Sequence, residues 1–290
     1  MGTMKLPAYW SKATATELDS NSREVAISRW RWSDVSAEDA HASALTAARA
    51  AVKRFLAGEK PSRYGYGESP AREEVLQQFY DGSGQLIAAV TQNAYGSLVL
   101  NTAGVMFIDL DFKPVTIGEA IGHFFRKLFG KAAMDPDAAR ESEARSCLER
   151  LASDGQFSLR IYRTAAGMRG LATHALFDPT AESTRSLLQS VGADPLYVRL
   201  CKSRECFRAR LTPKPWRCGI TENKIGWPRE TEEQQQKFAQ WQEKYAQCHA
   251  SFATCRFVAS IGSGKIHPDA EMIVEVHDHV TRASESMALA

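Results

Sequence analysis

QLIAAVTQNAYGSLVLNTAGVMFIDLDF, residues 85–112, is the stretch on which the reading of this chain turns. Three short β-prone runs, QLIAAVTQN, GSLVLNT and GVMFIDLDF, are separated by the turn signals NAYG and NTAG, which predicts an antiparallel meander ending in an acidic strand. Val105, Met106, Phe107, Ile108, Leu110 and Phe112 suit a strand covered on both faces, and Asp109 and Asp111 interrupt it. Successive side chains in a strand point to opposite faces, so the two acids share one face and Leu110 takes the other. Carboxylates held that close repel. They call for a shared proton, a neighbouring Arg or Lys, or a divalent cation of the Mg or Mn type, unless the strand simply ends there and both acids meet water.

Outward from that stretch, the chain alternates between strand and helix signals. The first twenty residues lack periodicity and read as a loose arm, followed by a first strand in REVAISRWRW, residues 23–32. SAEDAHASALTAARAAVKRFLAG, residues 36–58, reads as a helix capped by Ser36, with acids in its first turn and Gly58 at its end. KPSRYGYGES, residues 60–69, marks a loop. Beyond the acidic strand, IGEAIGHFFRKLFGK (117–131) and DPDAARESEARSCLERLASDG (135–155) read as helices, the first of them amphipathic. QFSLRIYRT and MRGLATHALF then flank AAG as a hairpin, and TAESTRSLLQSVG stops at Gly192 as another helix. DPLYVRLCKSRECFRARLTPKPWR starts as a helix and finishes as a strand near FRARL.

That order predicts an α+β fold: helices packed on a mainly antiparallel central sheet, close to a ferredoxin or RRM-like core, with a mostly helical carboxy-terminal extension. The corresponding divisions are an arm and first strand at 1–35, an α+β core at 36–220, and the extension at 221–290, with KPWRCGITENKIGWP as the candidate hinge. Composition agrees with a folded globular chain, since hydrophobic residues make up 44% and charged residues 24% of 290. No apolar run is long enough to span a membrane and the amino terminus lacks the apolar core of a signal peptide, so a cytoplasmic location is expected. In that setting the six cysteines are expected as free thiols. Neither the spacing of Cys201, Cys206 and Cys218, nor GSGK at 262–265, nor VHDHV at 276–280, read as helix, makes a metal or phosphate-loop site.

The net charge of +2 does not announce a polyanion partner, but its distribution does. Residues 198–217 carry seven cations against the single anion Glu205, a local balance of +6. This is the electrostatic footprint of a nucleotide triphosphate or a nucleic-acid backbone, with Phe207 and Trp216 available to stack on a base. RIYRTAAGMRGLATH adds Arg160, Arg163, Arg169 and His174 on a hairpin, where guanidinium forks would meet phosphate oxygens. An acid pair, a basic hairpin with a histidine and a basic helix-strand segment are the parts of a metal-dependent nucleotidyltransferase. The same arginines on an exposed sheet face, or pairing with the acids as an ionic cluster, are the structural alternatives.

FIDLD, followed by a hairpin with a Gly-containing basic turn and a His, then a DP helix and an FRARLTPK strand, resembles the catalytic core of the archaeo-eukaryotic primase and primase-polymerase superfamily over residues 85–215. The resemblance implies that Asp109 and Asp111 hold catalytic Mg or Mn. It also implies that His174 contacts an incoming nucleotide and that a further acid completes the metal site. Arg163, Arg169, Arg208, Arg210 and Lys214 are the candidate phosphate contacts, with nucleotide triphosphate and nucleic acid as expected partners. Two positions depart from that pattern. Ala172 stands where the family carries serine, and the third acid is not evident, Asp178 and Asp194 both preceding proline. A non-catalytic nucleic-acid-binding or partner-binding protein is the alternative function.

Overall fold

The first departure from this reading lies at the amino terminus. In the computed structural model, which describes residues 4–59, 70–112, 136–153 and 157–290, β1 (Tyr9–Leu18) occupies half of the expected loose arm and pairs antiparallel with β2 (Glu24–Ser33). A two-stranded ribbon is marginal in water without cover. Here α1 (Ala37–Leu56) lies across one face and encloses Ala15, Val25, Ile27, Ala48 and Val52. The small, scattered apolar residues of that face carry too weak a periodicity to announce β1 without the helix. The helix itself forms as read: Ser36 accepts from the Asp39 amide, Glu38 and Asp39 occupy the first turn, and Lys53 and Arg54 the last, matching the helix dipole.

The second departure concerns the meander. β3 (Glu74–Tyr80), β4 (Leu86–Gln92) and β5 (Leu98–Thr102) do pair in antiparallel order. The acidic strand β6 (Phe107–Asp111) leaves them and joins a different sheet. Two bonds turn the chain away: the Thr102 hydroxyl donates to the Val105 carbonyl, and the Phe177 amide to the Gly104 carbonyl. After α2 (Pro136–Ala152), the predicted hairpin of β7 (Ser158–Thr164) and β8 (Gly167–Ala172) receives β6 on its β8 side. Gly167 permits this approach, because a Cβ there would stand 2.1 Å from the Leu110 carbonyl oxygen.

Helices α3 (Glu182–Ser190) and α4 (Pro195–Arg204) follow, then β9 (Phe207–Arg210), which takes the edge of β5 that β6 does not use. In the carboxy-terminal part, α5 (Glu232–His249) and α6 (Pro268–Thr281) are helices as expected. The short β10 (Phe252–Ala253) pairs in parallel with β12 (Ala288–Leu289), and β11 (Cys255–Gly262) pairs with β7. Residues 221–290 thus also supply an outer strand of the sheet, because the alternating CRFVASIG finds a free edge on β7.

The fold is α+β with mainly antiparallel strands, as predicted. Its strands are distributed over two four-stranded sheets, β3-β4-β5-β9 and β11-β7-β8-β6, and two two-stranded pairs, and not gathered in one central sheet. The two large sheets share a core that includes Leu100, Phe107, Ile108, Leu148, Ile161, Leu171, Leu188, Phe207 and Ile273. The helix expected at 117–131 and the loop expected at 60–69 lie outside the described residues. Among the described residues no helix is long and apolar enough to cross a membrane.

Candidate functional site

Asp109 stands directly opposite Arg169 across the β6–β8 ladder, on the same face. The guanidinium grips the carboxylate with two nitrogens, Nε to Oδ1 at 2.8 Å and Nη2 to Oδ2 at 3.4 Å. Arg169 is only 4% exposed, and its remaining nitrogen Nη1 donates to the Arg210 carbonyl at 3.1 Å and meets His277 Nε2 at 3.3 Å. With Arg169 donating to Nε2, the proton of the neutral imidazole sits on Nδ1 and is given to Asp278, 2.9 Å away. Burial keeps His277 neutral by pushing its pKa down, with the neighbouring guanidinium acting in the same direction. Nothing in VHDHV announces this partner; α6 brings it to Arg169 on β8 from 108 residues further along the chain.

Asp111 has a different environment. It is exposed, and among the described residues its carboxylate has no hydrogen-bond or ion-pair partner. Its pKa is raised, by partial burial of the carboxyl first, then by the charges of Asp109 and Asp194. Asp194 reaches the site because the start of α4 docks on β6: its amide donates to the Asp109 carbonyl at 3.3 Å, and the Tyr197 hydroxyl to that of Phe107 at 2.8 Å. The Asp194 carboxylate also caps α4, accepting from the amides of Leu196 and Tyr197. The two readings of this aspartate, helix start and third acid, are therefore compatible at one residue.

All three aspartates line a cavity of about 760 Å³. The same lining carries three cations, Arg210 at the end of β9 and Lys214 and Arg217 in the segment that follows it. That segment is held in place. The Thr212 hydroxyl accepts from the Leu98 amide at 2.9 Å, and the Tyr245 hydroxyl reaches Thr212 at 2.9 Å and the Pro213 carbonyl at 2.5 Å. Among the described residues the side chains of Arg210, Lys214 and Arg217 have no hydrogen-bond or ion-pair partner, and the buried Arg210 Nε is unsatisfied. Burial lowers the pKa of Arg210, as does Arg169 beside it. Burial likewise lowers that of Lys214, followed by the charges of Arg210 and Arg217. Mutually repelling cations whose charge Asp109 and Asp111 offset only in part form a site for an anion.

Such a cluster opposes folding until an anion arrives. Lys214 binds its proton less readily folded than unfolded, so its contribution is unfavourable at neutral pH and is relieved only as pH rises through the lowered pKa towards the unfolded value. Lys214→Met is therefore expected to raise the melting temperature of the ligand-free protein at pH 7 by about 1–3 °C, with the gain shrinking as salt is added. A lower melting temperature at low salt counts against the repulsion.

The sequence-predicted residues divide clearly. Asp109, Asp111, Arg169, Arg208, Arg210 and Lys214 converge on the cavity. Arg208 is already engaged there: two contacts of 2.8 Å bind it to Glu73, which is 8% exposed and also accepts from the Thr91 hydroxyl. Arg163 and His174 are not among the lining residues. Arg163 pairs with Glu141 at 2.8 Å and lies over Phe112. His174 accepts from the Ser158 amide at 3.2 Å and packs edge-on against Phe157 and Phe177. It follows the far end of β8 from Asp111, because β6 and β8 run antiparallel and Gly167 is the residue opposite that acid. Trp10, Trp30, Arg72 and Tyr95, which sequence reasoning did not assign to the site, line the cavity too.

Among the described residues no group of three or more His, Cys, Asp or Glu side chains is arranged to hold a metal ion. The available donors suit the open coordination typical of Mg, which takes one or two carboxylates and completes its shell with water and substrate phosphates. Asp111 offers a whole carboxylate and Asp109 the lone pairs that Arg169 leaves. Comparison with protein-family models, curated proteins and solved structures found no match for the chain.

Proposed function

We propose that the cavity handles nucleotide phosphates and that the chain is a Mg- or Mn-dependent nucleotidyltransferase-like protein acting on nucleotides and nucleic acid. The observation that carries this reading is the free carboxylate of Asp111 in one cavity with Arg210, Lys214 and Arg217, whose side chains have no hydrogen-bond or ion-pair partner among the described residues. Phosphate oxygens take the cations, which neutralise charge gathering on a leaving pyrophosphate. Asp111, with Asp109, would hold the divalent cation, whose chemistry is to withdraw charge from the phosphoryl group under attack. Arg169 and His277 keep Asp109 and the Arg210 backbone in register.

Nucleotide incorporation on a primed template, measured with Mg and with Mn, tests the enzyme reading. Asp111→Asn is expected to lower the rate at least about 100-fold, the scale of losing one preorganised electrostatic group. Asp111 is the informative position because it holds no other side chain, whereas loss of Asp109 disturbs the fold. Equal rates for wild type and Asp111→Asn end the claim of catalysis at this acid.

The second reading is a non-catalytic polyanion-binding protein, favoured by Arg169 occupying both oxygens of Asp109. It anticipates no incorporation by the wild type, together with binding that Asp111→Asn strengthens by removing a negative charge.

A further inference from the structure

Beside the cavity, the β1–β2 ribbon has two unlike faces. Ala13, Ala15, Val25 and Ile27 point to α1, and Ala15, Val25 and Ile27 pack there. The Thr14 and Ser28 hydroxyls share a 2.7 Å hydrogen bond, which fixes those two residues on the other face, and by register Trp10, Lys12, Trp30 and Trp32 lie there with them. Lys12, Thr14 and Thr16 are exposed on this side and the three tryptophans are half-buried. Trp10 and Trp32 stand 5.4 Å apart with tilted rings, and the Arg72 guanidinium lies 4.0 Å over Trp30. Trp10, Trp30 and Arg72 also line the cavity, so the face runs into the space that Asp111 and Lys214 line.

We infer that this tryptophan face binds a single-stranded polynucleotide, with unpaired bases stacked on the indoles and the backbone met by Lys12 and Arg72, and guides the strand towards the cavity. The indoles of Trp10 and Trp32, beside Lys12 and the Arg72 guanidinium that lies on Trp30, match the two requirements of sequence-tolerant single-strand binding: flat surfaces for any base and positive charge for the phosphates. A duplex hides the faces of its bases and cannot use the indoles. Continuity with the basic cavity makes a polyanion the complementary occupant. The inference rests on the nucleotide reading for the strand's destination, while its binding determinants are separate residues.

The test is the affinity of the full chain for short fluorescently labelled oligodeoxythymidylate, oligouridylate and a DNA duplex, with binding of inorganic tripolyphosphate measured in parallel by calorimetry. The wild type is expected to bind at least one single strand more tightly than the duplex. Trp32→Ala is expected to weaken single-strand binding about tenfold or more, and Trp32→Phe to retain most of it. Trp32 does not line the cavity, so tripolyphosphate binding stays within about twofold. Lys12→Gln is expected to lower the salt slope of single-strand binding by about 0.7, the value for one phosphate contact. This slope decides the matter if Trp32→Ala does not fold. Absence of single-strand binding, no effect of Trp32→Ala in a folded protein, or an unchanged Lys12→Gln slope overturns the inference. Loss of tripolyphosphate binding with Trp32-dependent strand binding intact would instead remove the phosphate reading and leave the ribbon standing.

Discussion

Asp109→Ala is expected to cost about 3 kcal/mol of folding stability, whereas Asp111→Asn, two residues along the same strand, is expected to cost none. The difference comes from what each carboxylate holds. Removing Asp109 leaves Arg169, 4% exposed, as a buried guanidinium without its counter-ion, and breaking a buried pair from one side costs about 3–5 kcal/mol. Asp109 itself is 31% exposed, which allows water to screen part of the orphaned charge and places the expected loss at the lower end of that range. Arg169→Met is expected to match it, because it strands Asp109 and also releases the Arg210 carbonyl and His277.

Asp111 follows the opposite sign. Its raised pKa means that the folded chain holds this proton more firmly than the unfolded one, so its contribution to stability declines as pH rises from the ordinary carboxylate value through the raised pKa. At neutral pH the charged carboxylate opposes folding, and Asn at this position removes the repulsion from Asp109 and Asp194. Urea unfolding of the three variants at pH 7 measures both effects. Losses for Asp109→Ala and Asp111→Asn that agree within error would show that the two acids share one role, and the division between a structural and a free carboxylate would fail.

Arg210→Gln is expected to weaken tripolyphosphate binding about 10- to 100-fold, the range for a hydrogen bond to a charged group in a partly desolvated place. Arg210 is the strongest candidate because its guanidinium is half-buried and unpaired, and its backbone is held by Arg169. The effect should fall with ionic strength less steeply than that of Arg217→Gln if the phosphate is enclosed. Arg163→Gln, which breaks a pair with Glu141 away from the cavity, is the control and should leave affinity within about twofold. Arg208→Gln is not an equivalent probe, since it orphans the buried Glu73 and its main effect falls on stability. Calorimetric titration of the folded variants separates these outcomes. Wild-type affinity in Arg210→Gln would remove the anion site from the basic lining.

Local pattern was informative wherever an element is specified by its own residues. The helix at 37–56 follows from Ser36, its acidic first turn and its basic last turn. The β7–β8 hairpin follows from two alternating runs around a Gly-containing turn. The helix-to-strand change at 195–210 follows from Asp-Pro at one end and FRAR at the other. The site was legible in part for the same reason: two acids on one strand face and a cluster of cations are statements about neighbours in sequence. His174 shows where such reasoning stops. Residue type and proximity to a hairpin do not say which end of an antiparallel strand faces the acids, and here it is the end at Gly167.

By itself, then, the chain determined its α+β class, the shared face of Asp109 and Asp111, and the concentration of positive charge after residue 198, because alternation, capping and composition act over a few residues. Only the tertiary structure decided which sheet receives β6, that Arg169 takes Asp109 and leaves Asp111 free, and that Glu73 takes Arg208 while Arg210, Lys214 and Arg217 stay unpaired. It alone decided, too, that Trp10 and Trp30 of an amino-terminal ribbon border the same cavity. Those outcomes depend on pairings between residues dozens of positions apart, where burial makes each charge choose one partner and no local signal records the choice.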